Sequence, residues 1–333
     1  LASADDAGIY FGLGSEVHVM ARATFAEYPD ATLYGIAVAE SAGAAATMVC
    51  TFATNASAAY TIRLRMCGEV VDVAVASGDT PTVIATAVCN AVNPLTWLPY
   101  YAQFVAGAVT FTAKNLGPRG NDLVAIMSFV SSSGTETRIT SSSTSSGAGT
   151  TGILSGGALV GALYRFAGGT TQDTFAAALS AIIPTRYHRI VGACTDATNI
   201  GLISAHVTAQ AAITSQKREQ GIVATLGTSS AAITLATGVN AARMQVAWHY
   251  NSLVPACWIA AQVAAGRVIG DSIVGGQIIG EATDPDANIS GLGLASVPVQ
   301  YDIDDQPTDT EIESALNNGV AVLAPSAARP GFA

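Results

Sequence analysis

The 333 residues carry 14 basic and 24 acidic side chains, a formal charge of −10, and 11 % of them are charged, against about 25 % in ordinary soluble domains. The acidic balance excludes the basic footprint of a general nucleic-acid binder, and the 50 % hydrophobic content excludes disorder, which goes with high charge and low hydropathy. With Ala, Gly, Ser and Thr dominant and aromatics at 7 %, the surface is expected to be solvated by hydroxyls or hidden in an assembly, and the length suggests about two domains.

Leu1–Gly8 has two Asp residues and no basic start, so no secretory signal is expected there. The sequence does not open on Met and is expected to begin inside a longer gene product. Residues 15–28 read as an amphipathic helix with Val17, Met20, Ala21, Thr24, Phe25 and Tyr28 on one face, stopped by Pro29. Leu33–Ala39 reads as a short buried strand.

From Ser41 to about Gly161 the period becomes two. Strands are expected at Thr47–Ala53, Tyr60–Met66, Val70–Ala76, Tyr101–Ala106, Val109–Ala113 and Leu123–Val130, with hairpin turns at Gly68-Glu69 and Gly107-Ala108. One helix interrupts them, Thr80–Asn93, with Thr80 as cap and Pro81 in the first turn. Ser131–Gly152 is a Ser/Thr/Gly-rich loop framing at most one edge strand.

Beyond Gly161 helices and strands alternate. Helices are expected at Asp173–Ile183, Ala197–Gln216 (capped by Asp196), Ala231–Val239 and Pro255–Ile269, and one that begins with the capping box Thr308/Glu311. Strands are expected at Tyr187–Ala193, Gly221–Leu226, Met244–Tyr250 and Val320–Ala324. The order predicts an α/β class: a layered α/β domain with a mostly parallel sheet. It is built from residues 1–40 and 162–333 and interrupted by an inserted β-rich (α+β) domain at 41–161. The most apolar stretch, Leu253–Gly266, falls short of the roughly 20 residues a bilayer needs and holds Pro255, so no membrane insertion is expected.

The search for chemistry ends in exclusions. Five cysteines, Cys50, Cys67, Cys89, Cys194 and Cys257, offer neither CxxC nor zinc spacing and read as buried reduced thiols. Of the four histidines, His18 reads as solvated, while His188 and His249, beside strands, read as structural; none of the four forms HxxxH. Gly147, Gly149 and Gly152 spell GxGxxG without the strand and helix a dinucleotide needs. Asp284, Asp286, Asn288 and Ser290 open like a calcium loop, but Ile289 and Ala295 stand where Gly and Glu are required. The late acidic residues, among them Glu281, Asp302, Asp305, Asp309 and Glu313, read as a solvated or interface-facing edge. No catalytic, cofactor or metal site is expected, and the protein is not expected to be an enzyme. Lys217 and Arg218, placed at the end of the long helix, suit its dipole or, more pointedly, contact an acidic partner. These features suggest a structural subunit.

Several stretches then resemble the tail sheath protein of contractile-tailed bacteriophages, in the Mu-type group. They are Phe11-Gly12-Leu13-Gly14-Ser15 with the Met/Ala helix, Leu33-Tyr34-Gly35-Ile36-Ala37, and Ser41–Ala46 opening the insertion. Tyr60–Val75 with Ser77-Gly78-Asp79-Thr80, Thr110–Ala113 with Leu116–Asp122, Gly168-Gly169-Thr170, and Tyr187–Asp196 follow in the same order. The likeness covers most of residues 1–260. It implies a homo-oligomer of six-fold rings stacked helically around a tail tube, with the α/β part near the tube and the insertion outward. The implied partners are other sheath subunits, the tail tube protein, the baseplate and the tail terminator. The implied location is the virion tail, after assembly in the host cytoplasm. Contraction drives the tube through the host envelope from energy stored at assembly, so no cofactor or nucleotide is implied. The family's N-terminal arm and C-terminal domain have no counterpart recognised here, so a monomer is expected of these residues. The alternative is a surface binding or adhesion module of a phage or cell surface, with Trp97, Tyr100, Tyr101 and Phe104 of the insertion as its aromatic patch. A hydrolase on an α/β core is the third and least supported reading.

Overall fold

A computed structural model describes residues 1–139, 152–155, 159–160, 163–277, 306–325 and 330–332. The chain divides into two units: Leu1–Gly12, Glu16–Ala39 and Asp173–Ala333 form the first, Leu13–Ser15 and Glu40–Gln172 the second.

The first unit opens with two helices, α1 (Ala4–Phe11) and α2 (Glu16–Glu27). Ser3 Oγ accepts from the Asp6 amide and so caps α1. The strand expected at Leu33–Ala39 does not form: residues 31–41 join no helix or sheet, and Tyr34 is 70 % exposed. Gly35, Ala37 and Ala39 leave that run with little bulk to bury on a sheet face, and within it only Val38 packs against a core. Gly35 instead lets the chain pass under Phe11 and Val17, since a Cβ there would meet the Phe11 ring at 2.8 Å.

The second unit holds β1 (Ala45–Phe52), β2 (Tyr60–Met66), β3 (Glu69–Val75), α3 (Pro81–Val92), β4 (Tyr100–Val105), β5 (Ala108–Leu116), β6 (Val124–Ser131), β7 (Glu136–Arg138), β8 (Gly152–Ser155), β9 (Leu159–Val160) and β10 (Leu163–Arg165). They form two sheets, β4-β5-β1-β8 and β3-β2-β6-β10-β9, with β7 beside β6. Every pairing among them is antiparallel. Strands β1 and β2 bury alternate residues, whereas β6 is buried continuously from Val124 to Phe129, with Val130 and Ser131 half-buried. Met48, Ile62, Leu64, Ile84, Phe111 and Phe129 lie in one core shared by both sheets and α3. The β2–β3 turn is Cys67-Gly68, both at positive φ (49° and 81°), as two-residue hairpins of type I′ require. Thr80 caps α3 through the Val83 amide, with Pro81 in the first turn. At the base of the unit its two ends are tied together. The Thr170 amide donates to the Ala44 carbonyl, the Ala44 amide to Thr170 Oγ1, and Ser41 Oγ to the Thr171 carbonyl.

The first unit resumes with α4 (Ala176–Ile182), β11 (Arg189–Val191), α5 (Ala197–Gln210), β12 (Gln220–Thr225), α6 (Ser229–Val239), β13 (Met244–Trp248), α7 (Ala256–Gln277), α8 (Asp309–Asn317), β14 (Val320–Pro325) and β15 (Pro330–Phe332). The sheet order is β11-β12-β13-β14-β15, parallel through β14 and antiparallel at β15. Both faces are covered, as parallel strands require. Ile222, Ala224 and Ala247 pack with α2 and α7 through Val19, Ile259 and Val263. Val223 and Val246 pack with α4 and α5 through Leu179, Ile203 and Val207.

The expected class, a layered α/β domain with a mostly parallel sheet, is overturned. Two of the three sheets are antiparallel, parallel pairing is confined to β11–β14, and the chain is α+β. Among the runs between residues 45 and 165, β2–β3, β4–β5 and β6–β7 connect through short turns, which can join only antiparallel neighbours. Parallel pairing is left to the strands separated by helices.

Candidate interaction surface

Among the described residues the titratable side chains are dispersed over several elements. His18, expected in solvent, is buried, because α1 and α7 both cover α2. His188 is exposed just ahead of β11, and its carbonyl accepts from the Gln220 amide. His206 of α5 pairs with Glu219 at 3.2 Å, and Glu219 Oε1 accepts from the Tyr187 amide. His249, just past β13, is fully buried with both ring nitrogens unpartnered among the described residues. Burial pushes its pKa down to about 4. Four cysteines are buried and Cys257 is half-buried, all as free thiols; burial pushes Cys67 up to about 12. Among the described residues no three His, Cys, Asp or Glu side chains group as metal ligands, and no helix is long and apolar enough to cross a membrane. The calcium-like run at 284–290, Gly147, Gly149 and the acidic residues Glu281, Asp302 and Asp305 lie outside the described residues.

Lys217 and Arg218 do not end α5, which stops at Gln210. They lie in the turn that leads into β12, with the Lys217 amide donating to the Gln210 carbonyl. Lys217 Nζ donates to the carbonyl of Ile183, the C-cap residue of α4, so its charge serves a different helix dipole from the one expected. Arg218 is exposed.

The two belong to a larger set that their sequence neighbours do not reveal. Arg186 and Arg189 lie at the start of β11, Lys217 and Arg218 before β12, and Arg243 before β13. The parallel register places these starts side by side: Arg189 pairs with Gln220, and Gly221 with Met244. Adjacent strands are about 4.8 Å apart, so five of the chain's 14 basic residues share one end of one sheet. The carboxylate beside them, Glu219, is buried on His206 and the Tyr187 amide. A basic residue within two positions of the start of each of three strands (Arg189, Arg218 and Arg243) is the sequence signal that could have exposed this cluster.

The opposite end is acidic. Asp196 caps α5, just past β11, through the Asn199 amide. Helix α8 runs back to deliver Val320 to the start of β14, so its first turn lies toward the strands' carboxyl ends. The Thr308 amide and hydroxyl lower the Glu311 pKa, helped by a hydrogen bond from Ser229, which opens α6 after β12 and so fixes that placement. Asp309 and Glu313 of the same helix are exposed.

Large apolar side chains are also exposed on this unit, including Ile9, Tyr10, Tyr34 and Ile213, the last 90 % exposed. The aromatics of the second unit do not converge. Tyr100 is buried against Phe111 and Phe166, whereas Tyr101 lies on the other face of β4 and Trp97 is half-buried in the preceding turn.

No family model matches the chain, and no curated protein matches it. Among solved structures it is similar to the D2–D3 domains of the flagellar cap protein FliD from Escherichia coli. The identity is 11 % and the TM-score 0.21, over 43 % of this chain and 89 % of that one.

Proposed function

We propose that the protein is a structural subunit of a contractile bacteriophage tail sheath. Copies form six-fold rings stacked around a tail tube, contract on a baseplate signal, and drive the tube through the host envelope. The observation that carries the reading is the collinear series of stretches from Phe11 to Asp196. The second unit, which leaves the first after Ala39 and returns at Asp173, is consistent with an insertion carried by a lattice-forming body. Low charge and exposed Tyr10, Tyr34 and Ile213 suit faces that become lattice contacts. In this reading the chain works mechanically, in the virion tail, with the tube, baseplate and tail terminator as partners.

Immunogold labelling of particles from the producing cells tests this. Gold along the full length of contractile tails is expected. Gold confined to fibre tips or to the cell surface would replace the sheath by an adhesion module.

A further inference from the structure

We infer that the outer face of the sheet β3-β2-β6-β10 in the second unit binds the carboxylate of a sugar acid, seated between Arg63 and Arg65 over the hydroxyl of Ser128. Met127 and Phe129 belong to the core, so Ser128, between them on β6, faces the opposite side. The register sets Arg63 of β2 on one flank of Ser128 and Arg138 of β7 on the other. Arg65 and Arg165 join the same face beside Ile126 and Val124. Among the described residues of the sheet, the carboxylates on this face are Asp72, across from Arg63, and Glu136, across from Val130. Four guanidinium groups against two carboxylates leave an excess of positive charge, in a chain of net charge −10.

Glu136 already shows how a carboxylate is held there. Arg63 donates to Asp72 through Nε and Nη2, both at 2.8 Å, while Arg65 donates to both oxygens of Glu136. Arg63 Nη1 lies 3.8 Å from the same Glu136 carboxylate. Arg65 stands across from Ile126 and Glu136 across from Val130, so their contact crosses β6 over Ser128, midway between the two. Ser128 is fully buried under that crossing, yet its Oγ has no hydrogen-bond partner. A buried donor left unmet is costly, and a carboxylate offers about four lone-pair sites. Glu136, tethered to its strand, meets the guanidinium groups and not the hydroxyl. A free carboxylate in its place accepts from Arg65, Arg63 and Ser128 Oγ together, in the fork geometry that guanidinium groups favour. Arg138, two residues along the same face of β7, then receives the displaced Glu136. Thr61, half-buried on the same face beside Val130, sets a second hydroxyl near the site, which favours a ligand that carries hydroxyls as well as a carboxylate. The inference rests on this register and not on the sheath reading.

Titrating the purified chain with sodium glucuronate at constant ionic strength, followed by amide NMR shifts and calorimetry, tests it. Saturable shifts are expected at Arg63, Arg65 and Ser128, with none from glucose or chloride. Ser128→Ala is expected to weaken binding about fivefold, and Glu136→Gln, which removes the internal competitor, to tighten it about tenfold. The two variants move in opposite directions, so loss of the fold cannot imitate the result. No saturable shift at these residues, the same response to chloride (an adventitious ion only), unchanged affinity in Ser128→Ala, or affinity no tighter in Glu136→Gln would each overturn the inference. Equal binding of N-acetylglutamate amide would overturn the sugar acid as ligand and assign the face to acidic peptides. Saturable glucuronate binding in a protein that never forms striated tubes would leave this site standing and remove the sheath.

Discussion

Glu219 Oε2 lies 3.2 Å from His206 Nε2, with side-chain exposures of 1 % and 7 %. The same carboxylate accepts from the Tyr187 amide, so one buried group joins α5, the start of β12 and the approach to β11. Removing His206 leaves a buried carboxyl oxygen without its neighbour, and an unsatisfied buried polar group costs about 1–3 kcal/mol. His206→Leu is therefore expected to cost about 3 kcal/mol. Glu219→Gln, which keeps an acceptor for the Tyr187 amide, is expected to cost about 1 kcal/mol. Urea unfolding at neutral pH measures both, and equal losses would contradict the assignment.

His249 makes the first unit sensitive to acid. In the unfolded chain its imidazole takes up a proton near pH 6.5; in the folded chain burial delays this to about 4. Between those values the unfolded state binds more protons, so stability falls as pH drops from 6.5 and the loss is complete below about 4. The full loss amounts to about 3 kcal/mol. His249→Leu is expected to flatten this part of the stability–pH profile and to leave its alkaline side unchanged. An identical acid slope in the variant would show that other groups carry it.

Gly43 sets the closeness of the stem that ties the second unit's two ends. A Cβ there would meet the Thr170 carbonyl oxygen at 1.8 Å, which is backbone and cannot rotate away. Gly43→Ala is expected to cost about 1–3 kcal/mol and to speed amide exchange at Ala44 and Thr170, whose mutual hydrogen bonds it would part. Protection at those amides equal to that of the parent would refute it.

Lys217→Met keeps the aliphatic stem and removes the donor to the Ile183 carbonyl. A cation at a helix C-terminus contributes about 0.3–1 kcal/mol, so a loss in that range is expected. Arg218→Met, which removes an exposed charge, is expected to leave stability unchanged. Thermal unfolding of the two variants side by side decides between a capping and a purely surface role for Lys217.

Local structure was legible where a few neighbouring residues determine it. The Thr308/Glu311 capping box forms as expected, as do the Thr80-Pro81 helix start and the hairpin around Gly68. Features set by distant neighbours were not. The Gly68 hairpin gives Tyr60–Met66 its partner β3, but nothing local names its other partner, β6, so the balance of antiparallel over parallel sheets was hidden. Leu33–Ala39 has the apolar texture of a strand yet joins no sheet among the described residues, and His18 is covered by α1, the preceding helix, and by α7, more than 200 residues away in the chain. Likewise Lys217-Arg218 stood out as a dipeptide, whereas its grouping with Arg186, Arg189 and Arg243 depends on the order β11-β12-β13.

Negative-stain electron microscopy of the complete gene product that carries this sequence, concentrated with and without tail tube, tests the sheath reading most directly. Hollow, transversely striated tubes with six-fold rings are expected. Isolated particles under both conditions would contradict it and turn attention to the ligand of an adhesion module.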